Sequence, residues 1–248
     1  MKLRDAPAFY VRTLQTYLRR AGLLLPLAVV VFLPVGLIHA LPVHLDITDP
    51  DLDGAIEVVV VGGAVLALTA IGLIGEVFYA GAVAIALTYP GEGDPPSLRD
   101  VARMIKYRRL IAVDLLYVLL ILIGIAALVF PGVVLYVYLG LAAPVVEIEQ
   151  LGVRAAFARS FDLVRGHLPL VAAVLIPLEL GGDAITNGAI HVAQLLLGDT
   201  LLSGWLADTA TNVVVTPFYA VAAVLLTVAL IDDRDGSAPR IHSDRPRA

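Results

Sequence analysis

The chain has 248 residues, of which 59% are apolar and only 16% are charged, with a formal net charge of −5 and a mean hydropathy of +0.90. A soluble domain averages about 25% charged residues, so this composition excludes an ordinary soluble domain and predicts extensive contact with lipid. The absence of cysteine excludes a disulfide scaffold, an iron–sulfur cluster and a cysteine-based zinc site.

Six apolar segments predict six transmembrane helices, because a helix rises about 1.5 Å per residue and the hydrocarbon core of a bilayer is about 30 Å thick. We interpret the first segment as a retained span and not as a cleaved signal peptide, because a long segment containing aromatic residues precedes it. The second segment is too long for a straight crossing, so that helix must tilt, bend or project. The predicted spans, which together make residues 1–231 a single membrane domain, are residues 21–41, 55–89, 110–130, 133–148, 168–181 and 206–231.

Two connections in the first half of the chain have clear local signals. Ser97 and Asp100 have the spacing of a capping box, which predicts the start of a basic helix that leads into the third span. Pro131-Gly132 predicts a very tight turn between the third and fourth spans, so those two helices are expected to be antiparallel neighbours.

Two boundaries are predicted near the end of the chain. Gly181-Gly182 predicts a break after the fifth span, followed by a short outer helix over residues 184–197 with Asp183 as its cap. The polar residues 232–248 are predicted to form a disordered cytoplasmic tail.

The distribution of basic residues predicts the orientation. All 17 lysine and arginine residues precede the first span, lie between the second and third or the fourth and fifth spans, or follow the sixth. The positive-inside rule places these four segments in the cytoplasm. We therefore expect a multi-pass protein of the plasma (inner) membrane, with both termini in the cytoplasm.

A basic amphipathic segment leads directly into each odd-numbered span, and Arg12, Arg103 and Arg159 occupy matching positions in the three segments. The pattern predicts an all-α bundle of three helical hairpins, each with a basic lead helix in the headgroup layer. Any basic helix beside a membrane has a similar pattern, which is the alternative explanation. In the third lead helix, residues 152–166, the predicted apolar face consists of Val153, Phe157, Phe161 and Val164.

Three acidic residues, Glu76, Asp114 and Glu147, fall inside or at the ends of predicted spans, at a similar depth near the cytoplasmic interface. Ionisable residues at membrane depth are costly and are usually paired or functional. One interpretation is a salt-bridge layer that docks the basic helices, and the other is a polar cavity that receives a headgroup or a proton. The basic residues expected to pair with these acids or with lipid headgroups are Arg12, Arg103, Arg108, Arg109, Arg154 and Arg159.

The loop before the second span contains weak metal-binding patterns. Its aspartates resemble the first half of a calcium loop, but Val60 stands where a bidentate glutamate is required, so we favour an acidic loop that stabilises the N-terminus of the second span. His39, His44 and Asp46 lie nearby, but their spacing does not match a helical pair of zinc ligands. The weak candidates for calcium ligands are Asp49, Asp51, Asp53 and Glu57.

The sequence contains no nucleophile elbow, P-loop, dinucleotide-binding fingerprint or zinc-protease motif. It therefore predicts neither a catalytic site nor a cofactor. The basic residues lie beside membrane spans and are not interleaved with aromatic residues, so nucleic acid is not an expected partner.

Several stretches resemble the membrane domain associated with bacterial glycerophosphoryl diester phosphodiesterases. They are PGVVLY at residues 131–136, APVVE at 143–147, LGVRAAFARSFDLVRGH at 151–167, and TPFY at 216–219 followed by DDR at 232–234. The resemblance implies a six-span module that has no established activity when it stands alone and is joined to a TIM-barrel catalytic domain in other members. The His-Arg-Gly motif of that catalytic domain is absent and the spans leave no room for a barrel, so the resemblance does not imply phosphodiesterase activity.

Three functions remain open from the sequence. The first is a non-catalytic membrane module that interacts with lipids or with a partner, such as a membrane protein or a lipid enzyme. The second is a transporter-like or permease-like subunit with a polar path near Glu76, Asp114 and Glu147. The third is an intramembrane enzyme that acts on phospholipid.

Overall fold

The computed structural model describes residues 6–44, 63, 75–89, 96–198 and 200–236. This part of the chain forms nine helices and no strand: α1 Ala6–His44, α2 Gly75–Thr88, α3 Leu98–Met104, α4 Tyr107–Ala127, α5 Val129–Leu139, α6 Ala142–Ile148, α7 Val153–Arg165, α8 Leu168–Leu197 and α9 Leu201–Asp235. Within it, five candidate membrane spans are long and apolar enough to cross a bilayer: Ala6–Ile38, Tyr107–Ala127, Val129–Ile148, Leu168–Leu197 and Leu201–Asp235. The predicted all-helical architecture is therefore confirmed, and the five candidate spans are compatible with a multi-pass membrane protein.

Contacts between α1 and α9 fix the relative directions of these two helices. The Tyr17 hydroxyl donates to the Val214 carbonyl at 3.1 Å, and the Trp205 indole N–H donates to the Leu33 carbonyl at 3.1 Å. Residue numbers rise along α1 while they fall along α9, so the two helices are antiparallel. The start of α1 and the end of α9 therefore lie at the same end of the bundle.

The α3 and α7 helices lie at that end too. Arg159 of α7 pairs with Asp235 at the end of α9. Arg109, in the first turn of α4, donates to the carbonyl of Gln150 just before α7, at 3.1 Å. We call this the basic end of the bundle, where α1 begins, α9 ends, and α3 and α7 lie.

The α2 helix is enclosed by its neighbours over most of its length. Residues 79–87 are all buried, as is expected of a helix that is apolar on every side. The Tyr79 hydroxyl donates to the Leu24 carbonyl of α1 at 2.7 Å, and Gly81 lies directly against the Leu110 side chain of α4. Glu76, in the first turn of α2, is therefore held inside the bundle.

The α4 and α5 helices touch through their backbones. A Cβ atom on Gly124 would lie 2.8 Å from the Cα atom of Gly132, so a side chain at Gly124 is excluded. The turn lies at Leu128, which is extended with φ −171° and ψ 143°, and the predicted turn at Pro131-Gly132 was wrong. Pro131 belongs to the first turn of α5, where its missing N–H has no intrahelical partner to lose.

The predicted break at Gly181-Gly182 was also wrong. The α8 helix is continuous across it, so residues 184–197 are not a separate outer helix and Asp183 is not a cap. Glycine weakens a helix interior by only about 1 kcal/mol per residue. Close packing offsets this cost, because Gly182 faces Val215 of α9, where a Cβ atom would lie at 3.3 Å.

The limits of α9 differ from the predicted sixth span. The helix begins earlier, because the Thr200 hydroxyl accepts a hydrogen bond from the backbone N–H of Ser203 at 3.1 Å and caps the N-terminus. It also continues through residues 232–235, which were predicted to be disordered, and ends at Gly236 with φ 64°. Residues 237–248 lie outside the described residues.

The predicted lead helices are separate elements at α3 and α7 only. In α1 the basic segment and the apolar segment form one continuous helix. In α7 the buried side chains are Ala156, Ser160, Leu163 and Val164. Phe161, predicted on the apolar face, is 45% exposed.

Several sequence predictions fall outside the described residues. They concern the first part of the second span and the candidate metal ligands Asp46, Asp49, Asp51, Asp53 and Glu57. The backbone at His39 and His44 belongs to α1.

A candidate intramembrane site of tyrosines and carboxyl groups

Three membrane helices meet at a chain of hydrogen bonds. The Tyr136 hydroxyl of α5 donates to a carboxyl oxygen of Glu179 of α8 at 2.9 Å. The same hydroxyl lies 2.7 Å from the Tyr219 hydroxyl of α9. A phenol has one proton to donate, so when Tyr136 donates to Glu179, Tyr219 must donate to Tyr136. The chain is therefore directional, from α9 through α5 to α8.

This chain lies well inside the bundle. Glu179 is 11 residues beyond Leu168, the first residue of α8, or about 17 Å along the helix axis. Tyr219 is 12 residues before Ile231, the last apolar residue of α9, or about 18 Å. Both distances place the hydroxyl and carboxyl groups near the middle of an apolar core about 30 Å thick.

Two small cavities flank the chain, and Glu76 and Tyr219 border both. The first has a volume of about 10 Å³ and also contacts Tyr117 and Tyr136. The second has a volume of about 30 Å³ and also contacts Glu179. A single water molecule needs about 10–15 Å³ measured in this way. The cavities therefore suit water or a proton carrier and not an organic substrate.

A polar stripe of α9 continues from the second cavity. The Thr216 hydroxyl donates to the side-chain oxygen of Asn212 at 3.3 Å. The Asn212 amide in turn donates to Asp208 at 3.2 Å. The spacing of four residues places these groups on one face of the helix, so polar groups extend from the cavity toward the start of α9.

The site is rich in carboxyl groups. Glu179, Asp183 and Asp114 all lie within electrostatic range of Glu76. In the part of the chain that the structure describes, Glu76, Glu179 and Asp183 form no ion pair with a basic side chain. Glu76, Glu179 and Asp183 all border the second cavity, and ionisable groups gathered at membrane depth are costly and usually functional.

The structure separates Glu147 from Glu76. Glu147 is 4% exposed, and it lies at the basic end with the charges of Lys106 and Arg109 nearby. Its carboxyl oxygens have no hydrogen-bond partner among the described residues. The group instead faces the N-terminus of α4, where the helix dipole favours an anion.

Asp114 lies between these two regions. It is seven residues beyond Tyr107, the first residue of α4, or about 10 Å into the bundle. It is 1% exposed, and its Oδ1 atom has no hydrogen-bond partner among the described residues. It shares a face of α4 with Tyr117, which contacts the first cavity. The prediction that Glu76, Asp114 and Glu147 lie at one depth was wrong.

A salt-bridge layer does form at the basic end, but with other acids. Arg159 donates from Nε and Nη2 to the Glu149 carboxylate at 2.8–3.1 Å and also pairs with Asp235. The hydrogen bonds to Glu149 are the main reason that the pKa of Arg159 lies above its usual value. Arg234 pairs with Asp162 at 2.7 Å. The layer therefore ties α7 to the end of α9 and leaves Asp114 and Glu147 out.

The other basic residues predicted for this layer occupy different surroundings. Arg109 donates to the Gln150 carbonyl. The side chains of Arg12, Arg103, Arg108 and Arg154 are exposed.

The sequence interpretation missed most of the site. Glu179 is the one acidic residue within the predicted fifth span, so the rule that singled out Glu76 applied to it as well. Asp183 was interpreted as a helix cap. Tyr136 and Tyr219 have no local signal, because only the folded bundle brings them together.

Comparison of the chain with protein-family models, with curated proteins and with solved structures found no match. The role of the site therefore rests on its own chemistry.

Proposed function

We propose that the protein is a transporter-like membrane protein that moves protons across the bilayer through this site. The observation that carries the proposal is the hydrogen-bonded chain of Tyr219, Tyr136 and Glu179 beside a water-sized cavity that Glu76 also borders. Chains of carboxyl groups at membrane depth are typical of proton relays.

The inferred route has one group at each stage of the crossing. From the basic end, Asp114 comes first, about 10 Å into α4. Glu76 follows, within electrostatic range of Asp114, and beside it lies the chain that ends at Glu179. Asp183, one helical turn beyond Glu179, borders the second cavity and has an exposed side chain. Protons would leave the site there.

Protons fit the site better than metal ions or organic solutes. Among the described residues, no group of three or more histidine, aspartate and glutamate side chains is arranged to hold a metal ion. The cavities are too small for an organic substrate.

The test uses the purified full chain in liposomes that contain a pH-sensitive dye. A potassium gradient with valinomycin imposes a membrane potential, and the rate of internal acidification is measured. We expect the wild-type protein to acidify the lumen faster than protein-free liposomes do. Glu179→Gln should reduce the rate to that of protein-free liposomes, and Tyr136→Phe should reduce it by breaking the chain. Asp232→Asn, at an exposed carboxylate of the basic end, is the matched control and should retain the rate.

Folding is checked by size-exclusion chromatography and thermal unfolding of each variant. If Glu179→Gln unfolds, Glu179→Asp serves instead, because it retains a titratable group and should retain part of the rate. The proposal is wrong if the wild-type protein is no faster than protein-free liposomes, or if the folded Glu179→Gln protein keeps the wild-type rate.

A second candidate function is the non-catalytic module that interacts with lipids or with a partner protein or enzyme. The exposed arginines at the basic end favour it. Such a module would produce no proton flux, so the same measurement distinguishes the two functions. The membrane-domain family that the sequence resembles is compatible with this candidate.

We also propose that the protein crosses the plasma (inner) membrane six times, as three helical hairpins. Both termini then lie in the cytoplasm. The sixth crossing would be α2 together with the residues before it, since the 14 residues of α2 cover only about 21 Å. The location of the start of α1 and the end of α9 at the same end of the bundle supports an even number of crossings. A reporter that is active only in the cytoplasm should work when fused after Ala248. Activity there of a reporter confined to the periplasm would contradict the topology.

A further inference from the structure

The outward face of α7 carries a narrow basic and aromatic stripe. Arg154, Phe161 and Arg165 are exposed and are spaced by seven and four residues, so they share one face of the helix. The opposite face is buried. The α7 helix therefore presents this stripe away from the protein.

The stripe is held rigidly. The Ser160 hydroxyl donates to the Tyr138 carbonyl of α5 at 2.8 Å, and the rings of Phe161 and Tyr138 stack with centroids 4.6 Å apart. The ion pairs of Arg159 fix the inward face. A surface fixed in this way loses little conformational entropy on binding.

A second set of exposed side chains lies on α3 and the start of α4, also at the basic end. Arg99 and Arg103 are exposed and are four residues apart, so they are neighbours on the surface of α3. Beside them, Leu98 and Met104 are each 38% exposed and Tyr107 is 44% exposed. Basic groups next to apolar ones suit the boundary between headgroups and acyl chains.

These arginines take no part in the ion pairs of the basic end. Those pairs use Arg159 and Arg234. Among the described residues, no ion pair includes Arg99, Arg103, Arg154 or Arg165. Their guanidinium groups are therefore available to an external anion.

We propose that these two exposed sets of side chains at the basic end bind the headgroups of anionic phospholipids in the surrounding leaflet. Together we call them the basic surface, which consists of Arg99, Arg103, Arg154, Phe161 and Arg165. A guanidinium group binds a phosphate through two parallel hydrogen bonds, and the apolar side chains rest against the upper acyl chains. Anionic lipid then stabilises the folded protein specifically, beyond what a zwitterionic lipid does. This inference does not depend on proton transport, because the two proposals use different residues.

The test measures thermal unfolding of the purified full chain in detergent, with dioleoylphosphatidylglycerol or dioleoylphosphatidylcholine added. For the wild-type protein, phosphatidylglycerol should raise the Tm more than phosphatidylcholine does, and high salt should reduce the difference. Each Arg→Gln substitution in the surface should weaken apparent binding of phosphatidylglycerol by about fivefold. Replacing all four arginines should abolish the difference.

Arg159→Gln is the matched control, because Arg159 lies at the same end but is engaged by Glu149 and Asp235. It should lower the Tm and still leave the specific effect of phosphatidylglycerol. Inorganic phosphate at the same concentration should not reproduce that effect, since the surface binds a headgroup in a leaflet.

Phe161→Ser keeps every charge, and it should reduce the effect of phosphatidylglycerol by removing the apolar contact. The proposal is overturned if both lipids raise the Tm equally, or if the folded fourfold variant keeps the response to phosphatidylglycerol. It is also overturned if free phosphate reproduces the response.

Discussion

Tyr10 shows how one side chain repairs a defect in a neighbouring helix. Pro177 lies inside α8 and has no N–H, so the carbonyl of Ala173, four residues earlier, loses its intrahelical donor. The Tyr10 hydroxyl of α1 donates to that carbonyl at 2.9 Å. An unsatisfied carbonyl is costly in a membrane, so Tyr10 both pairs it and ties α1 to α8.

Removing this hydroxyl should have a measurable cost. We expect Tyr10→Phe to lower the free energy of unfolding by about 1–2 kcal/mol, because it leaves a part-buried carbonyl unpaired. Unfolding in mixed micelles would measure the change. In a Pro177→Ala background the N–H at position 177 returns, so Tyr10→Phe should cost less there. Equal costs in both backgrounds would contradict the proposed role.

Hydrogen bonds between residues close in sequence could be predicted, whereas those between distant residues could not. The capping box of Ser97 and Asp100 is confirmed, because both partners lie within four residues: the Ser97 N–H donates to Asp100 at 3.1 Å. The hydrogen bond from the Ser97 side chain lowers the pKa of Asp100. The pair of Tyr10 and Ala173 is separated by 163 residues, and no local pattern predicts it.

At the scale of elements, the close approach of α4 and α5 leaves no room for a side chain at Gly132. A Cβ atom on Gly132 would meet the backbone N atom of Ile125 at 2.9 Å. Backbone atoms cannot move aside as a flexible side chain can, so the two helices would have to separate.

Gly132→Ala should therefore destabilise the protein by about 1–3 kcal/mol, the usual cost of overpacking. Gly22→Ala is the matched control, because nothing lies within 4 Å of a Cβ atom there. Alanine favours a helix over glycine, so Gly22→Ala should be neutral or stabilising by up to about 1 kcal/mol. Thermal unfolding of both variants would measure this, and equal losses would contradict the packing argument.

Two arginines join α7 to α9 with different strength. Arg159 has a side chain that is 19% exposed, whereas the side chain of Arg234 is 43% exposed. Arg159→Gln should cost about 1–3 kcal/mol, because it removes charge-assisted hydrogen bonds to two carboxylates. Arg234→Gln should cost less than about 1 kcal/mol, as is usual for exposed pairs. The reverse order in chemical unfolding would show that burial does not set the strength of these pairs.

Most helices were predictable from apolar length alone, but their interruptions were not. Gly181-Gly182 is as strong a local signal for a break as Pro131-Gly132, yet neither marks the turn that the structure has. Packing decides both cases: Gly182 faces Val215, and Gly132 lets α4 and α5 touch. A glycine required for close contact has the same sequence signal as a glycine that ends a helix.

At the scale of the whole molecule, the sequence predicted a membrane bundle and a functional region at its cytoplasmic face. The intramembrane site lies deeper than expected, and it is assembled from α2, α5, α8 and α9. Hydropathy gives the number and length of apolar segments but not which faces meet. The position of Glu179 in an apolar helix could have identified it from the sequence. Its hydrogen-bond partner Tyr136 on α5 could not have been identified in this way.

The antiparallel pairing of α1 and α9 joins the two ends of the described chain. Removing residues 200–248 should therefore lower the level of protein in the membrane strongly, because α1 loses an extensive helix contact. Removing only residues 237–248 is the matched control and should leave the level unchanged. Immunoblotting of membranes would measure both. Equal levels of the two truncated proteins would contradict this dependence.

The same pairing has a consequence for biosynthesis. A ribosome releases α1 before α9, so α1 must remain in the bilayer without this partner until α9 has been synthesised. During that interval the surface of α1 around Gly36, which ends up against Asp208 and Thr209, faces lipid or an insertion factor. The arrival of α9 therefore decides when this part of α1 is covered.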